Sequence, residues 1–379
     1  MKIGYDAKRI VRNGTGLGSY SRTLINSLAA IDHNDEFFLY APDQGKDELR
    51  NQIEFHENVI FKYPNGTNGK CSSSIFSKIK ASLWRSRGVV KDLKRDGVEI
   101  YHGLSGELPI GLKKTGIKSV LTIHDLIFLR HPEYYHWIDV QLYKRKFYQS
   151  VKEADRIIAI SECTKRDILH YSNFPADKID VIYQSCGTRF KVTVSEEQIQ
   201  EVKKKYNLPD TYILNVGTIE ERKNVYLAIQ SLEKLPKDFH IVIVGRKTQY
   251  YRDIMKRIQG KSYASRVHFL SGVPNNDLYA IYQQAQCFVY PSRYEGFGIP
   301  IIEAIQSGLP VVAASGSCLE EAGGEACLYV DPDDVEGMKN AILYCIEHRE
   351  ALNRASREYV RRFENSDVAT QISNVYISL

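Results

Sequence analysis

Apolar residues arrive along this chain in short β-branched runs, separated by longer stretches that repeat every three to four positions. Unbroken apolar runs belong to strands buried on both faces, and the longer repeats to the helices that cover them. In the first half the pattern predicts strands at Lys2–Asp6, Phe37–Ala41, Val59–Tyr63, Ile100–His102, Val120–His124, Arg156–Ser161 and Asp180–Tyr183. In the second half it predicts Tyr212–Val216, His240–Gly245, Val267–Leu270, Cys287–Tyr290, Pro310–Ala314 and Cys327–Val330. Each set suffices for one doubly wound sheet, so the expected fold class is α/β, with two Rossmann-like parallel-sheet domains facing a cleft. At 379 residues the chain is too long for one ordinary core. Lys191–Pro209, between the two sets, is charged and helix-prone without an apolar run. The boundary is therefore placed near residue 190, giving domains at 1–190 and 191–360. Arg349–Leu379 reads as a long helical pattern, whose last part, 361–379, is expected to pack back toward the first domain.

Composition narrows the class. With 43% hydrophobic and 26% charged residues, the chain reads as a soluble globular protein. No apolar run approaches the roughly 18 residues that span a bilayer. Met1-Lys-Ile-Gly-Tyr-Asp6 enters a strand directly, unlike a signal or transit peptide, which points to the cytoplasm. Seven cysteines stand singly at 71, 163, 186, 287, 318, 327 and 345, a set that suits reduced thiols and not a disulfide framework or a zinc site. A net charge of +5 is too mild to imply a nucleic-acid partner. The charge is uneven, however. Lys70 to Arg95 holds eight basic residues and one acid, Asp92, with Ile75, Phe76, Ile79, Leu83 and Trp84 interleaved at helical spacing. An interfacial amphipathic helix would make an anionic membrane surface, on the inner face of the cytoplasmic membrane, a further partner. The alternative is a helix whose apolar face packs on the N-terminal domain.

The densest chemistry lies in Glu295-Gly-Phe-Gly-Ile-Pro-Ile-Ile-Glu303-Ala-Ile-Gln-Ser-Gly-Leu-Pro-Val-Val312. Pro300 suits a first helical turn and Gly308 a helix stop, so Gly296, Phe297 and Gly298 form the turn before a short helix. A helix N-terminus offers unpaired N–H groups to a phosphate. Glu295 before it and Glu303 along it would then face the groups attached to that phosphate, the layout of a nucleotide-sugar site. Val216-Gly217-Thr218-Ile-Glu-Glu-Arg222-Lys223-Asn224 follows the first strand of the second half. Its adjacent cations could neutralise a diphosphate, Arg by a bidentate fork and Lys as a point charge. Near the N-terminus, Gly14-Thr-Gly16-Leu-Gly18-Ser-Tyr20 lets backbone approach a ligand but lacks the dinucleotide-binding G-x-G-x-x-G spacing. His124-Asp125 closes a strand and could hydrogen-bond sugar hydroxyls or stabilise developing charge. Asp331-Pro-Asp333-Asp334 has the spacing of a divalent-ion site, yet reads better as the cap of a following helix, so no metal site is expected.

Together these motifs resemble the family-4 retaining glycosyltransferases of the GT-B fold, and most of all their bacterial mannosyltransferase-like members. The resemblance spans most of the chain: the Gly16-Leu-Gly18 loop, His124-Asp125, the Ser161-Glu-Cys-Thr-Lys-Arg-Asp167 helix start, Gly217–Asn224 and Tyr290–Gly298. It implies transfer of a hexose, mannose above others, from GDP-mannose or a UDP-sugar to a glycan or polyprenyl-linked acceptor in cell-surface polysaccharide synthesis. Glu303 would hold the ribose, Glu295 the donor sugar, and Arg222 and Lys223 the diphosphate, with His124 beside the sugar from the opposite domain. The other donor contacts are expected from Gly16, Gly18, Asp125, Gly217, Thr218, Gly296, Phe297 and Gly298, and no cofactor or metal is implied. A sugar-nucleotide 2-epimerase and a non-catalytic nucleotide-sugar binder are the alternatives. Three positions depart from the family pattern. Thr218 stands where many members have arginine, Ser317-Cys-Leu-Glu-Glu321 replaces Ser-x-Leu-Pro-Glu, and Gln184-Ser-Cys-Gly187 replaces an Asn-Gly hinge.

Overall fold

The computed structural model describes residues 1–54, 57–64, 69, 74–186 and 188–379; Lys70 and Cys71, and Gly187 of the hinge sequence, lie outside them. Its chain divides into two compact units, Met1–Ser185 with Phe363–Leu379, and Cys186–Arg362.

Unit 1 holds β1 (Lys2–Asp6), β2 (Glu36–Tyr40), β3 (Val59–Lys62), β4 (Ile100–Gly103), β5 (Lys118–Ile123), β6 (Arg156–Ala159) and β7 (Ile179–Val181). All pair in parallel, in the order β3-β2-β1-β4-β5-β6-β7. The apolar runs divide by strand alternation. Phe37 and Leu39 join one core with Ile3 and Tyr5, while Phe38 and Tyr40 join the opposite core with Leu93 and Tyr101. Both faces are apolar because helices cover both. One of these helices, Asn365–Ile377, sends Val368, Ile372 and Tyr376 into the first core. The tyrosine hydroxyl lies 2.6 Å from His102 Nδ1.

The helical pattern expected over Arg349–Leu379 is broken in the structure. A helix at Arg349–Tyr359 tightens into a 3-10 turn at Val360–Phe363, and Glu364 leaves helical geometry (ψ 148°) before Asn365 starts the last helix. Phe363, buried at the break, packs edge-on against Tyr183 at 5.4 Å.

Unit 2 holds β8 (Tyr212–Val216), β9 (His240–Val244), β10 (Val267–Leu270), β11 (Phe288–Tyr290), β12 (Val311–Ala314) and β13 (Leu328–Val330), parallel in the order β10-β9-β8-β11-β12-β13. Strand order reverses between β1 and β4 in one sheet and between β8 and β11 in the other. Open α/β sheets bind ligands at such switch points, beyond the carboxyl ends of the strands. The Ile299–Gln306 helix leaves β11's loop with proline in its first turn. It stops through bonds from Gly308 N to Ile305 O and from Leu309 N to Ala304 O, a Schellman closure that Gly308 permits at φ 89°.

The amphipathic segment is helical over Ile75–Leu83 and Val89–Asp96, joined by a π-helical turn at Trp84–Gly88. Phe76, Ile79 and Leu83 are 78%, 52% and 59% exposed, so these side chains do not pack on the domain. Arg85, counted with the surface cations from sequence, points inward instead. Its side chain is 13% exposed and pairs with Asp6 at 3.2 Å and with Glu107. Among the described residues no helix is long and apolar enough to cross a membrane.

Candidate functional site

The loops after β8 and β11 meet at unit 2's switch point. After β8 the chain makes a 3-10 turn at Glu221–Lys223, and Asn224, at φ 51°, opens the Val225–Ser231 helix. The Asn224 amide donates to Pro332 O at 2.7 Å, and Arg293 N donates to Arg222 O at 2.9 Å, so the loops after β8, β11 and β13 are tied together. These ties bring Arg222, Lys223 and Glu295 into one buried cluster. Glu295 Oε1 accepts from Lys223 Nζ at 2.5 Å, Ser292 Oγ at 2.7 Å and Tyr290 OH at 3.1 Å. Its Oε2 pairs with Arg222 Nη1 at 2.9 Å. Arg222 also donates to Tyr294 O and, at 2.8 Å, to Glu220 Oε1.

Burial alone would raise the Glu295 pKa. The charges of Lys223 and Arg222, with hydrogen bonds from Lys223 and Ser292, outweigh it and bring the value down to about 2. Burial likewise opposes the Arg222 charge, and Glu295 and Glu220 overcome it, raising its pKa. Tyr290 is held protonated, first by burial and then by the carboxylate beside it. With three donors on Oε1 and one cation on Oε2, one lone pair of Oε2 is left for a further donor such as a sugar hydroxyl.

The turn Gly296-Phe297-Gly298 is held from behind. Cys318 Sγ lies 3.0 Å from the carbonyl oxygens of both Glu295 and Phe297, which share its one S–H. The departure in the Ser317–Glu321 motif is Glu320 in place of proline, while Cys318, at its variable position, supports the turn's shape. Beside it, Ser317 is 4% exposed and its hydroxyl finds no hydrogen-bond partner among the described residues. No side chain caps the helix that starts after Gly298. Pro300 brings no N–H and Ile301 N bonds Gly298 O at 2.9 Å, so the Ile299 N–H is what this end offers an anion. Glu303, half-buried on that helix, accepts from Tyr282 OH at 3.2 Å. Gly217 and Thr218 lie in the β8 loop, where Gly217 N bonds Val244 O at 2.9 Å. The Asp331–Asp334 carboxylates are engaged locally. Asp334 caps the Val335–Glu347 helix through Gly337 N at 2.9 Å, Asp333 pairs with Arg293, and Asp331 accepts from Asp333 N at 2.9 Å.

Unit 1's switch point carries a cavity of ≈ 260 Å³. Arg9 and Leu17 line it from the β1 side, Gly106 and Glu107 from β4, and His124 and Asp125 from β5. His124 Nε2 lies 2.8 Å from Leu104 O, and its Nδ1 lies 2.6 Å from Gln184 Nε2. Burial lowers its pKa to about 4. The ring is therefore neutral, with its proton on Nε2 toward the carbonyl and its Nδ1 lone pair accepting from Gln184. Both ring nitrogens are engaged inside unit 1, so polar contact with a sugar requires one of these bonds to be exchanged. Tyr20 packs edge-on against this ring at 4.8 Å. Thr164, in the helix start capped by Ser161, donates to His124 O at 3.3 Å. Asp125 Oδ1 accepts from Ile127 N at 3.2 Å. Of the two N-terminal glycines, Gly18 has a structural reason: a Cβ there would lie 1.8 Å from Asn13 O. A Cβ on Gly16 would meet nothing within 4 Å, and it is exposed at the start of the Gly16–Ile31 helix.

Sequence reasoning did not single out Gln184, Ser292, Tyr290 or Ser317 as site residues. Gln184 stood as a departure from the hinge pattern, and Tyr290-Pro-Ser292 as flanking motif. The signal for all four was polar residues at the carboxyl ends of apolar strands.

The comparisons agree with the two-sheet fold. Residues 14–186 match the model of Glycosyltransferase Family 4, and residues 196–362 that of Glycosyl transferases group 1. O-antigen chain mannosyltransferase B of Escherichia coli is 28% identical over 99% of this chain and 99% of its own. O-antigen chain mannosyltransferase RfbU of Salmonella typhimurium is 28% identical over 97% of each. Among solved structures, sucrose-phosphate synthase from Thermosynechococcus elongatus shares the fold at TM-score 0.78 and 18% identity, over 100% of this chain and 98% of that one. HepE of Anabaena, solved with UDP and glucose, shares it at TM-score 0.73 and 19% identity over 100% of both.

Proposed function

This chain belongs to the GT-B glycosyltransferases, and from that premise we propose that it moves mannose, with retention of configuration, from GDP-mannose to a glycan or polyprenyl-linked acceptor. The observation that carries the reading is the Arg222–Lys223–Glu295 cluster, at a switch point, beside an uncapped helix N-terminus. Mannose is favoured by the names of two relatives that match over nearly their whole length. The hard step is departure of the nucleoside diphosphate, so stabilising charge on its oxygens dominates the rate. In unit 2, Glu295 holds two cations ready. A diphosphate carries more charge than one carboxylate and draws Lys223, a point charge on a flexible stem, onto itself. The bond from the anomeric carbon to the phosphate oxygen breaks, and one to the acceptor oxygen forms on the same face. The acceptor's proton passes to the departing phosphate oxygen. Glu303 takes the ribose, and the remaining lone pair of Glu295 takes a sugar hydroxyl.

We further propose that no metal takes part, the cations and helix N-terminus supplying the positive charge, and that the chain rests peripherally on anionic membrane through Phe76, Ile79 and Leu83. The test is transfer from GDP-mannose beside UDP-hexoses, with the product's anomeric configuration read by NMR and EDTA present in one arm. An inverted product, a UDP-hexose preferred over GDP-mannose, release of an epimer without acceptor, or loss of rate in EDTA restored by magnesium would each sink the corresponding part.

A further inference from the structure

A second cavity of ≈ 300 Å³ lies next to the one at unit 1's switch point, and Glu107 and Lys146 line both. Four cations line it, Arg85, Arg87, Arg145 and Lys146, against two carboxylates, Asp6 and Glu107. The carboxylates are already used: Arg85 pairs with both, and Lys146 lies 3.0 Å from Glu107. Arg87 and Arg145, both exposed, have no ion pair among the described residues. Two uncompensated guanidiniums facing one cavity repel each other unless an anion joins them. A diphosphate diester bears a negative charge on each phosphate, which matches that surplus, and the guanidinium fork suits phosphate oxygens.

Leu108, Pro109, Ile110 and Leu142 give the cavity an apolar wall, beside polar Ser86 and Gln149. Ile138, Leu142 and Arg145 fall at i, i+4 and i+7 along the Trp137–Glu153 helix and so share one face. Ile138 is 73% and Leu142 47% exposed, an apolar track that leads from solvent to the unpaired arginine.

We propose that this second cavity binds the diphosphate of a lipid-linked acceptor, with the first prenyl units along Ile138 and Leu142. The sugar next to the diphosphate then crosses the shared Glu107–Lys146 wall into the first cavity, where Tyr135 and Tyr143 supply aromatic faces. This inference rests on the reading of the chain as a glycosyltransferase acting on a polyprenyl-linked acceptor.

The pocket is tested by titrating inorganic pyrophosphate into the full chain carrying Arg222→Ala and Lys223→Ala, which removes both cations of the unit 2 clamp. Adding Arg87→Ala and Arg145→Ala should weaken binding at least about tenfold; unchanged affinity overturns the proposal. In transfer assays on the otherwise native chain, the same pair of substitutions should raise KM about tenfold for a farnesyl diphosphate-linked glycan. kcat, and KM for the same glycan on a methyl aglycone, should stay as in the native protein. An equal change for both acceptors overturns it. Loss of binding to phosphatidylglycerol vesicles with pyrophosphate affinity intact would assign the two arginines to bulk headgroups, which also overturns it. If the native chain transfers to neither acceptor, the functional reading fails while the pyrophosphate titration still decides the pocket.

Discussion

Lys223 Nζ lies 2.5 Å from Glu295 Oε1, although the two residues are 72 positions apart and leave different strands. Both sit on loops at the reversal of strand order, which is why one carboxylate can hold the cations of the neighbouring loop. Glu295→Ala removes the anion from a cluster in which Arg222 and Lys223 are only 13% and 16% exposed. Leaving buried charge unpaired costs about 3–5 kcal/mol. The variant should show a Tm well below that of the native protein, and GDP should restore more of it than it adds to the native chain, because the diphosphate replaces the lost anion. Equal GDP stabilisation of both proteins, by differential scanning calorimetry, would show that the cations and the nucleotide do not meet.

The same cluster sets an acid limit on stability. A carboxylate whose folded pKa is depressed stabilises the fold above its unfolded pKa, and the contribution is lost as pH falls through the folded value. For Glu295 that window runs from 4.5 down to about 2 and amounts to roughly 3 kcal/mol. His124 acts in a higher window. Burial takes its pKa from 6.5 down to about 4, so the unfolded chain is protonated first and stability again falls with pH, now between these values. Glu295→Gln should flatten only the limb below pH 4.5 in a series of Tm measurements. A curve parallel to the native one throughout would mean that the carboxylate is not held as described. Histidine NMR should find His124 neutral at pH 7; titration near its ordinary value would contradict the bonds to Leu104 and Gln184.

The two cations should separate when removed singly. The Arg222 side chain bonds the Tyr294 carbonyl and Glu220 as well as Glu295, whereas among the described residues the Lys223 side chain bonds only Tyr290 and Glu295. Each loss should lower turnover about 10²–10³-fold, as for a donor aimed at developing negative charge. Arg222→Ala should in addition lower Tm by more than Lys223→Ala does, since it also takes the guanidinium donor from the Tyr294 carbonyl and from Glu220. Turnover near native in both variants would take this loop out of the reaction.

Much of this was legible in the sequence because parallel strands covered on both faces are written as unbroken apolar runs, from Lys2–Asp6 to Leu328–Val330. The helix after Gly298 was legible for the same kind of reason, since Pro300 and Gly308 mark its ends locally. Three features were not. Glu295 reads as a ligand contact in isolation, and only tertiary pairing shows that Lys223 and Arg222 already hold it. Gln184 reads as a departure from a hinge pattern, and its bond to His124 joins residues 60 positions apart. Arg85 reads as one of a run of surface cations. The π-helical turn Trp84–Gly88 shifts the helical phase there and turns it onto Asp6 and Glu107, a rotation that a 3.6-residue period does not contain.

That rotation separates two kinds of basic residue in one segment, and the separation can be measured. Lys78 and Lys80 are exposed on the helix that also presents Phe76, Ile79 and Leu83, so their charges are available to a membrane. Each basic residue near an anionic surface contributes about 1 kcal/mol, and the attraction falls as salt screens it. Lys78→Gln with Lys80→Gln should weaken co-sedimentation with phosphatidylglycerol vesicles by roughly tenfold or more at low salt, while leaving Tm within about 1 °C of native. Arg85→Ala should do the reverse. It strips a cation from Asp6, which is 2% exposed, and should lower stability by about 3 kcal/mol with little change in vesicle binding. If Arg85→Ala instead keeps the native Tm and loses the vesicles, its side chain faces the membrane and not the interior of unit 1.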